Sequence, residues 1–359
     1  MKMKKSGFIK YLLVSSMIAV ILFTGSIITL FVYDMSRIPS IVQQTMQRLD
    51  ELTGGWIPDW NDSDEVFHSN LVFELTDNGQ DYYYQQGYQL IEGQNVLLEM
   101  DLVNADVTIE TTEESNVTVE ILTKSPDRYR IEQTPSQLQI TEKKKVQLFC
   151  LFGCDQYPKS TIVIKVPSNV SQLELETVSG DFMIKHNSDL IEAHTINGGV
   201  SLIDSTANEI DFEAINGKIK VTRSQVFNEA NLEVVNGSIL LTEVESGNLY
   251  LETVNGDMTL TELKGGIIDC QTINGDIILK NAYVRDIAIE KLNGHFELLN
   301  DDQVYEIQSL KLSGLKKNYE IQAKVRNISY NYPELFMNVQ KKLWIDFIRI
   351  KSIAFFVWG

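Results

Sequence analysis

Apolar residues recur in fixed columns along residues 171–326, and the columns repeat about every 19 positions. Each copy is centred on a turn dipeptide, Asn-Gly or Ser-Gly, whose glycines follow one another at intervals of 18 to 20 residues. The glycines are Gly180, Gly198, Gly217, Gly237, Gly256, Gly275, Gly294 and Gly314. Residues seven and two positions before the glycine are apolar in every copy, and the last copy breaks the later columns at Lys316 and Asn318. A period this regular predicts a repeat architecture.

Within each copy, apolar residues stand seven and five positions before the glycine, and again two and four positions after it. Alternation with a period of two places side chains on one face of a β-strand. Each copy therefore predicts two short strands around a corner. Because so short a unit buries its apolar face only by stacking on its neighbours, the pattern predicts an all-β fold. That fold is a single-stranded β-solenoid (β-helix) of about 19-residue coils, with parallel strands between coils.

The Asn-Gly pairs leave a second architecture open. Asn-Gly is also a strong short-range signal for a hairpin, so an antiparallel meander is the alternative to coils. The constant inward columns favour coils. At the corner of a coil we expect glycine at positive φ and asparagine in the left-handed region, which both residue types tolerate.

Residues 62–170 are predicted to form an N-terminal β region ahead of the regular repeats. The segment Leu98–Ile109 fits the register of the repeats, with Ala105 at the position of the glycine, and predicts a first coil. Between this coil and the repeats, the strand-like segments Tyr129–Ile131 and Gln137–Ile140 predict an inserted hairpin.

The chain begins with a basic segment followed by a long uncharged one. Residues 1–10 carry four lysines and no acidic residue, and residues 11–33 carry no charged side chain. A helix over 11–33 is long enough to cross a hydrocarbon core of roughly 30 Å. The positive-inside rule then predicts a cytoplasmic tail at 1–10 and an extracytoplasmic location for the remaining chain. A cleaved signal peptide is the alternative, but its apolar region is normally only about 7–15 residues long.

Two further segments flank the predicted solenoid. Residues 34–61 are predicted to form a membrane-proximal linker helix and a loop, because apolar residues recur at helical spacing before Gly54 and Gly55. Residues 327–359 lack the repeat pattern and end in a segment rich in Trp, Phe and Ile. We expect a cap over the open last coil, with a surface-bound tail as the alternative.

Charge and motif content narrow the range of functions. The 359 residues carry a net charge of −18, which disfavours binding to nucleic acid. The sequence contains neither a nucleophile motif nor a phosphate loop. The histidines, which show no metal-ligand spacing, are His68, His186, His194 and His295. The sequence therefore predicts no catalytic, cofactor-binding or metal-ligating residue.

Two sets of acidic residues are nevertheless candidates for chemistry. Asp257 and Asp276 follow adjacent turn glycines and would stack about 5 Å apart, where a divalent cation would relieve their repulsion. A solvated turn is the alternative, and we favour it. A partial column of glutamates four positions before the glycine is expected to face outward, keeping the sheet soluble and discouraging edge pairing. The glutamates are Glu176, Glu213, Glu233, Glu252 and Glu290.

Cysteines and tyrosines supply further candidates. Cys150 and Cys154 are close in sequence and predicted to lie outside the membrane, so we expect a local disulfide, with metal binding as the less favoured alternative. Cys270 falls in an inward column and predicts a small buried hydrophobe. The tyrosines of Tyr82–Tyr88 would either stack on sugars or pack in the core, and strand alternation favours packing.

The turn sequences resemble those of a known bacterial family. Glu-Thr-Val-Ser-Gly-Asp at 176–181 and Thr-Ile-Asn-Gly-Asp at 272–276 are similar to the repeats of a putative-adhesin domain of unknown function. Its members include membrane-anchored LiaG-like proteins linked to cell-envelope stress. The resemblance covers about residues 95–326. It implies repeated β-strands, a bacterial cell-surface setting and no catalytic residue to carry over. Ala105 and the tail after Asn327 depart from the family pattern.

These features lead to one hypothesis and two alternatives. We expect a membrane-anchored extracytoplasmic β-solenoid that acts as a non-catalytic, adhesin-like interaction or scaffold module of the cell envelope, linked to envelope stress. Its partners would be the lipid bilayer, through residues 11–33, and a cell-wall polymer or an envelope membrane protein. The alternatives are a polysaccharide-acting β-helix enzyme that uses Asp257 or Asp276, and an accessory protein of a membrane sensor.

Overall fold

The computed structural model describes most of the β-rich part of the chain, and all described residues belong to one compact unit. The described ranges are 69–90, 96–143, 158–301, 305–314 and 319–331. Several predicted features lie outside them: the tail at 1–10, the transmembrane helix at 11–33, the linker at 34–61, Cys150, Cys154 and the chain after Asn331. Within the described ranges, none of the helices has the length and apolar character that a bilayer crossing requires.

The described residues form eighteen β-strands and one 3-10 helix, Pro126–Arg128. The strands are β1 (Glu74–Leu75), β2 (Tyr82–Gln89), β3 (Val96–Thr111), β4 (Asn116–Thr123), β5 (Tyr129–Thr134), β6 (Gln137–Glu142), β7 (Ser160–Val166), β8 (Val170–Ser179), β9 (Phe182–Lys185), β10 (Ser188–Asn197), β11 (Val200–Ile203), β12 (Thr206–Asn255), β13 (Met258–Asn274), β14 (Ile277–Asn293), β15 (Phe296–Leu299), β16 (Glu306–Ser313), β17 (Tyr319–Gln322) and β18 (Lys324–Asn331). The longest, β12, winds through more than one coil of the repeat.

Successive coils stack in parallel, as the columns predict. Ile239 of β12 pairs with Met258 of β13, which pairs with Ile277 of β14, a constant offset of 19 residues. β8, β10 and β12 are joined in the same parallel manner. The β-solenoid is therefore confirmed, and the antiparallel meander is excluded for the repeats. Cys270 lies in the buried column between Leu251 and Ile289, as expected.

The coils of β12, β13 and β14 have three paired segments rather than the two that the sequence predicts. In β13, residues 258–261, 263–265 and 267–274 pair with β14, and the positions between these runs lie at corners. The left-handed backbone conformation also occurs at an unexpected place. Among the described residues other than glycine, positive φ occurs at the same place in five successive coils, six positions after the turn glycine. They are Asp204, Arg223, Glu243, Glu262 and Asn281, with φ between 48° and 55°. The asparagines of the Asn-Gly pairs are not among them, so that expectation is wrong.

Glycine is required at the Asn-Gly corner because neighbouring coils approach closely there. A Cβ atom on Gly256 would lie 1.3 Å from the carbonyl oxygen of Gly237, and one on Gly217 would lie 1.6 Å from that of Gly198. Neither contact is sterically possible, so stacking at this corner demands glycine even where φ is not in the left-handed region.

The register of the last copy differs from the sequence alignment. Ser313 pairs with Glu290 rather than with Asn293, and the offset between β14 and β16 is 23 residues, as in Ile287 with Leu310. The apolar columns broken at Lys316 and Asn318 are continued elsewhere, since Tyr319 pairs with Phe296 and Ile321 with Leu298. The assignment of Ser313-Gly314 as an aligned eighth corner is therefore wrong, because a few extra residues lengthen this coil. β18 continues the stack to Asn331, beyond the predicted boundary at residue 326.

β3 forms the first coil, with Ala105 at the glycine position. It pairs in parallel with β8 and β9, placing Leu98 beside Leu173 and Val107 beside Phe182. Its other edge is covered by β6 and β7, and β5 and β6 form the antiparallel hairpin expected between the first coil and the repeats.

A buried acidic side chain of β6 joins the hairpin of β5 and β6 to the first coil. Glu142 accepts the backbone N–H groups of Val103 and Asn104 over 2.7 and 2.9 Å, and it forms a buried ion pair with Arg128 over 3.1 Å. The tyrosines of β2 are all at least partly buried. Tyr84 and Tyr88 are buried and hydrogen-bonded to each other, so packing is their role.

Candidate functional site

The asparagines of the Asn-Gly corners form a hydrogen-bonded column along the solenoid. The side-chain amide of Asn255 donates to Oδ1 of Asn236 over 3.0 Å and accepts from Nδ2 of Asn274 over 2.9 Å. Each interior amide thus both donates and accepts, so the column satisfies its own polar groups. We call it the amide column; its described members are Asn197, Asn216, Asn236, Asn255, Asn274 and Asn293.

The acidic residues directly after the turn glycines bind the backbone of the next coil. Oδ1 of Asp257 accepts the N–H of Asp276 over 2.7 Å, and Oδ1 of Asp276 accepts the N–H of His295 over 2.6 Å. Asp181 accepts the N–H of Gly199 in the same way. Asp257 and Asp276 therefore have a structural role that the sequence did not predict. Among the described residues, they belong to no group of three metal-ligating side chains.

A face rich in carboxylates lies along the segment that leads to the Asn-Gly corner. Outward positions six and four before the turn glycine hold acidic side chains in successive coils, and parallel pairing sets Glu174 beside Glu192 and Glu192 beside Asp211. With coils about 4.8 Å apart, six coils give a strip about 24 Å long. The carboxylate face consists of Glu99, Asp101, Glu174, Glu176, Glu192, Asp211, Glu213, Glu233 and Glu252, all partly buried.

Ionisation of the carboxylate face lowers the stability of the folded state. Burial and, to a smaller extent, the charges of Glu252 and Glu213 together raise the pKa of Glu233 to about 8. Burial also raises the pKa values of Glu174, Asp211 and Glu213. A raised carboxyl pKa means that folding favours the protonated form. The glutamate column faces outward, as predicted, but most of its side chains are partly buried and the pKa values of Glu213 and Glu233 are raised.

Neutral amides meet the face at its N-terminal end. The side-chain amides of Gln137 and Gln139 donate to the two carboxylate oxygens of Glu99 over 2.6 and 3.0 Å. Further along, the amide of Asn231 donates to Oδ1 of Asp211 over 3.0 Å.

Among the ion pairs of the described residues, none involves Asp211 or Glu213.

One histidine interrupts the face. His194 occupies a position of the glutamate column and pairs directly with Glu213 of the next coil. A ring nitrogen of His194 and one carboxylate oxygen each from Asp211 and Glu213 lie within 4.8 Å of one another. Nε2 of His194 is shielded from solvent and has no hydrogen-bond partner among the described residues. The three side chains thus form a compact group of one imidazole and two carboxylates.

The sequence did not reveal this group, because motif rules count spacing along the chain. Asp211 and Glu213 follow His194 by 17 and 19 residues, which is about one coil. The available signal was the histidine itself, standing in a column otherwise rich in glutamate. The prediction of no metal-ligating residue considered only spacing along the chain and did not include contacts between neighbouring coils.

His186 has a different environment. Its ring is buried, with Nε2 hydrogen-bonded to the carbonyl oxygen of Val170 over 2.7 Å and Nδ1 to the hydroxyl of Thr111 over 2.9 Å. Burial lowers the pKa of His186, which favours the neutral ring. His186 therefore links the first two coils within the core.

A shallow groove lies at the corner formed by the left-handed residues. Its volume is about 560 Å³, and its lining includes Asp204, Arg223, Glu243, Glu262 and Lys264. Arg223 binds Asp204 of the preceding coil through two nitrogens, over 2.6 and 2.8 Å. The groove is therefore mixed in charge and partly neutralised by its own residues, unlike the carboxylate face.

The chain is similar to known proteins across the solenoid. A family model described as Toastrack DUF4097 matches residues 97–291. Among solved structures, a "putative lipid binding protein" from Parabacteroides distasonis is 14% identical, with a TM-score of 0.45 over 71% of this chain and 95% of that one. A "putative adhesin" from Parabacteroides merdae is 11% identical, with a TM-score of 0.43 over 71% and 97% of the two chains. No curated protein matches the chain.

Proposed function

Because this chain belongs to the Toastrack DUF4097 family, we propose that it is a non-catalytic, adhesin-like binding module of the bacterial cell envelope. The carboxylate face carries the proposal. It extends over six coils, about 24 Å at the usual strand spacing, and burial raises the pKa values of several of its members. A partner that brings cationic groups to this face would stabilise the ionised carboxylates.

The partner fits the chemistry of the cell envelope. An amine-bearing cell-wall polymer or a basic patch on an envelope membrane protein would match a negative strip of this length. The rigid stack keeps the carboxylates at fixed spacing, so the face is organised before binding and little ordering entropy is lost. A repetitive surface of this kind suits a repetitive polymer.

We place the solenoid outside the membrane, anchored by one helix at residues 11–33 with residues 1–10 in the cytoplasm. The lysines before the uncharged stretch support this orientation. Amine labelling of intact cells with a membrane-impermeant reagent tests it, because Lys218 and Lys264 are exposed. We expect modification of both lysines without lysis. Modification that requires lysis would contradict the proposed orientation.

Co-sedimentation of the full chain, in detergent, with isolated bacterial cell walls tests the role of the face. The test variant carries Glu174→Gln, Glu233→Gln and Glu252→Gln, and the matched control carries Glu243→Gln, Glu245→Gln and Glu262→Gln at another corner. We expect the test variant to bind at least about fivefold less and the control to bind normally, with binding weakened by salt. Equal binding by all three proteins would refute a role for the carboxylate face.

The contacts of Asp257 and Asp276 do not favour the enzyme hypothesis. Each carboxylate accepts a backbone N–H of the following coil, so each has a structural task. Incubation of the full chain with cell-wall glycans is expected to release no soluble sugar. Release that is abolished by Asp257→Asn would establish the enzyme instead.

A further inference from the structure

The group formed by His194, Asp211 and Glu213 differs from the rest of the carboxylate face in its ligand types. His194 lies on β10 and Glu213 directly beside it on β12, while Asp211 stands two residues earlier on the same strand and faces the same side. Two rigid neighbouring strands therefore hold all three side chains, and their candidate ligand atoms lie within 4.8 Å of one another.

The imidazole of His194 lacks a partner that its position calls for. Its Nε2 atom is shielded from solvent and makes no hydrogen bond with the described residues. Side-chain nitrogens shielded from solvent nearly always have a partner, because an unsatisfied polar group that has lost its water lowers stability. A bound cation would supply that partner by accepting the lone pair of the neutral imidazole nitrogen.

The surrounding charge also favours a cation. Glu192 pairs with Asp211 from the preceding coil, and Glu233 follows Glu213 in the next coil and interacts with it electrostatically. None of the described ion pairs reaches Asp211 or Glu213. The positive charge that these two carboxylates lack would come from an ion.

We propose that His194, Asp211 and Glu213 form a binding site for a divalent first-row transition-metal ion, for which Zn²⁺ is the probe. An imidazole nitrogen with two carboxylate oxygens is a ligand set that zinc accepts, with bonds of about 2.0–2.2 Å. Such bonds place tetrahedral ligand atoms about 3.4 Å apart, so small side-chain rotations would close the group around the ion. Mg²⁺ and Ca²⁺ prefer oxygen-only sites and would bind more weakly.

Neighbouring residues already orient one ligand of this site. Asn231 donates to Oδ1 of Asp211 over 3.0 Å, which leaves Oδ2 for the ion. Hydrogen bonds from neighbouring residues commonly orient metal ligands in this way. The fourth position would face outward, since all three ligands are partly exposed. The site goes beyond the proposed function, because it is complete within this chain whether or not the face binds a polymer.

Zinc titration of the metal-free full chain in detergent tests the site, with a chromophoric chelator as competitor. The protein carries Cys150→Ser and Cys154→Ser so that those thiols take up no zinc. We expect one equivalent to bind, and His194→Gln to weaken binding at least about tenfold. The matched control is His295→Gln, which we expect to bind normally because only backbone atoms of His295 make the contacts described for it.

A second variant and a second readout keep the test decisive. Glu213→Gln should weaken zinc binding as His194→Gln does, and it leaves the imidazole of His194 in place. Zinc should raise the Tm of the parent protein, and this rise should be lost in both variants, while Mg²⁺ should have no effect at the same concentration. Unchanged zinc affinity in both variants, or an equal loss in His295→Gln, would overturn the proposal.

Discussion

The amide column and the carboxylate face are built in the same way, by repeating an outward side chain once per coil, but stacking affects them oppositely. In the amide column, neighbouring side chains bind one another over 2.9–3.1 Å. On the carboxylate face, the same stacking brings like charges together, and burial with repulsion raises the pKa of Glu233 to about 8. An amide both donates and accepts, whereas an ionised carboxylate only accepts.

This difference separates the two roles of a repeated side chain. A column of identical amides is complete by itself and supports the fold. A column of identical carboxylates stays incomplete until a proton, a cation or a partner arrives. Under the proposed function, this incomplete column is the part of the solenoid that binds the partner.

The largest expected effect comes from the glycine corner beneath the amide column. A Cβ atom on Gly256 would collide with the carbonyl oxygen of Gly237, so Gly256→Ala should lower the free energy of unfolding by about 4 kcal/mol. The control is Gly87→Ala, whose Cβ would meet only Asn116 at 3.9 Å and should change stability by less than about 1 kcal/mol. Urea unfolding of the full chain measures both. Similar losses for the two variants would contradict the close approach of coils.

A smaller loss is expected from breaking the amide column itself. Asn255→Ala removes two hydrogen bonds, to Asn236 and from Asn274, and should cost about 2 kcal/mol. The control is Asn208→Ala, because Asn208 makes one exposed bond to Asp189 outside the column. We expect a loss of about half as much or less for the control. If Asn208→Ala were as damaging as Asn255→Ala, the column would have no special role.

The smallest effect is expected at the left-handed corner, where successive coils carry unlike side chains. Glu243 has φ of 55°, a conformation that costs a residue with a Cβ about 1 kcal/mol. Glu243→Gly should therefore raise the free energy of unfolding by about 0.5 kcal/mol after the entropy cost of glycine. Glu245→Gly, at an exposed position in the adjacent strand segment, should lower it by a similar amount. Loss of stability in both variants would show that backbone strain does not govern this corner.

Most of the fold could be predicted because its inward columns are long and uniform. Positions such as Leu251, Cys270 and Ile289 repeat one apolar environment, and their parallel register is confirmed. The family resemblance seen in the turn sequences is confirmed by the match over residues 97–291. The third segment was missed because its inward positions mix apolar with small polar residues, as Val244 and Ser246 show.

The candidate site could be predicted only in part, for a different physical reason. The outward glutamate column is visible in the sequence, but its partial burial depends on how closely side chains of neighbouring coils pack. His194, Asp211 and Glu213 become neighbours only when one coil lies on the next. The extra residues before β16 likewise became visible only from the pairing of Ser313 with Glu290.

The central claim is that the balance of hydrogen-bond donors and acceptors decides whether a column of repeated side chains stabilises the fold or destabilises it. Measuring the stability of an amide variant of Glu233 and an acidic variant of Asn255 as a function of pH tests this claim. Folding raises the pKa of Glu233 to about 8, so its favourable contribution is present below about pH 4.5 and is lost as pH rises through about 8. The measurement is the urea midpoint of the full chain with chelator between pH 4.5 and pH 8.5. Glu233→Gln should match the parent at pH 4.5 and exceed it at pH 8.5, while Asn255→Asp should fall below the parent at pH 8.5. The claim is contradicted if both variants shift the midpoint in the same direction at pH 8.5, or if Glu233→Gln leaves it unchanged across the range.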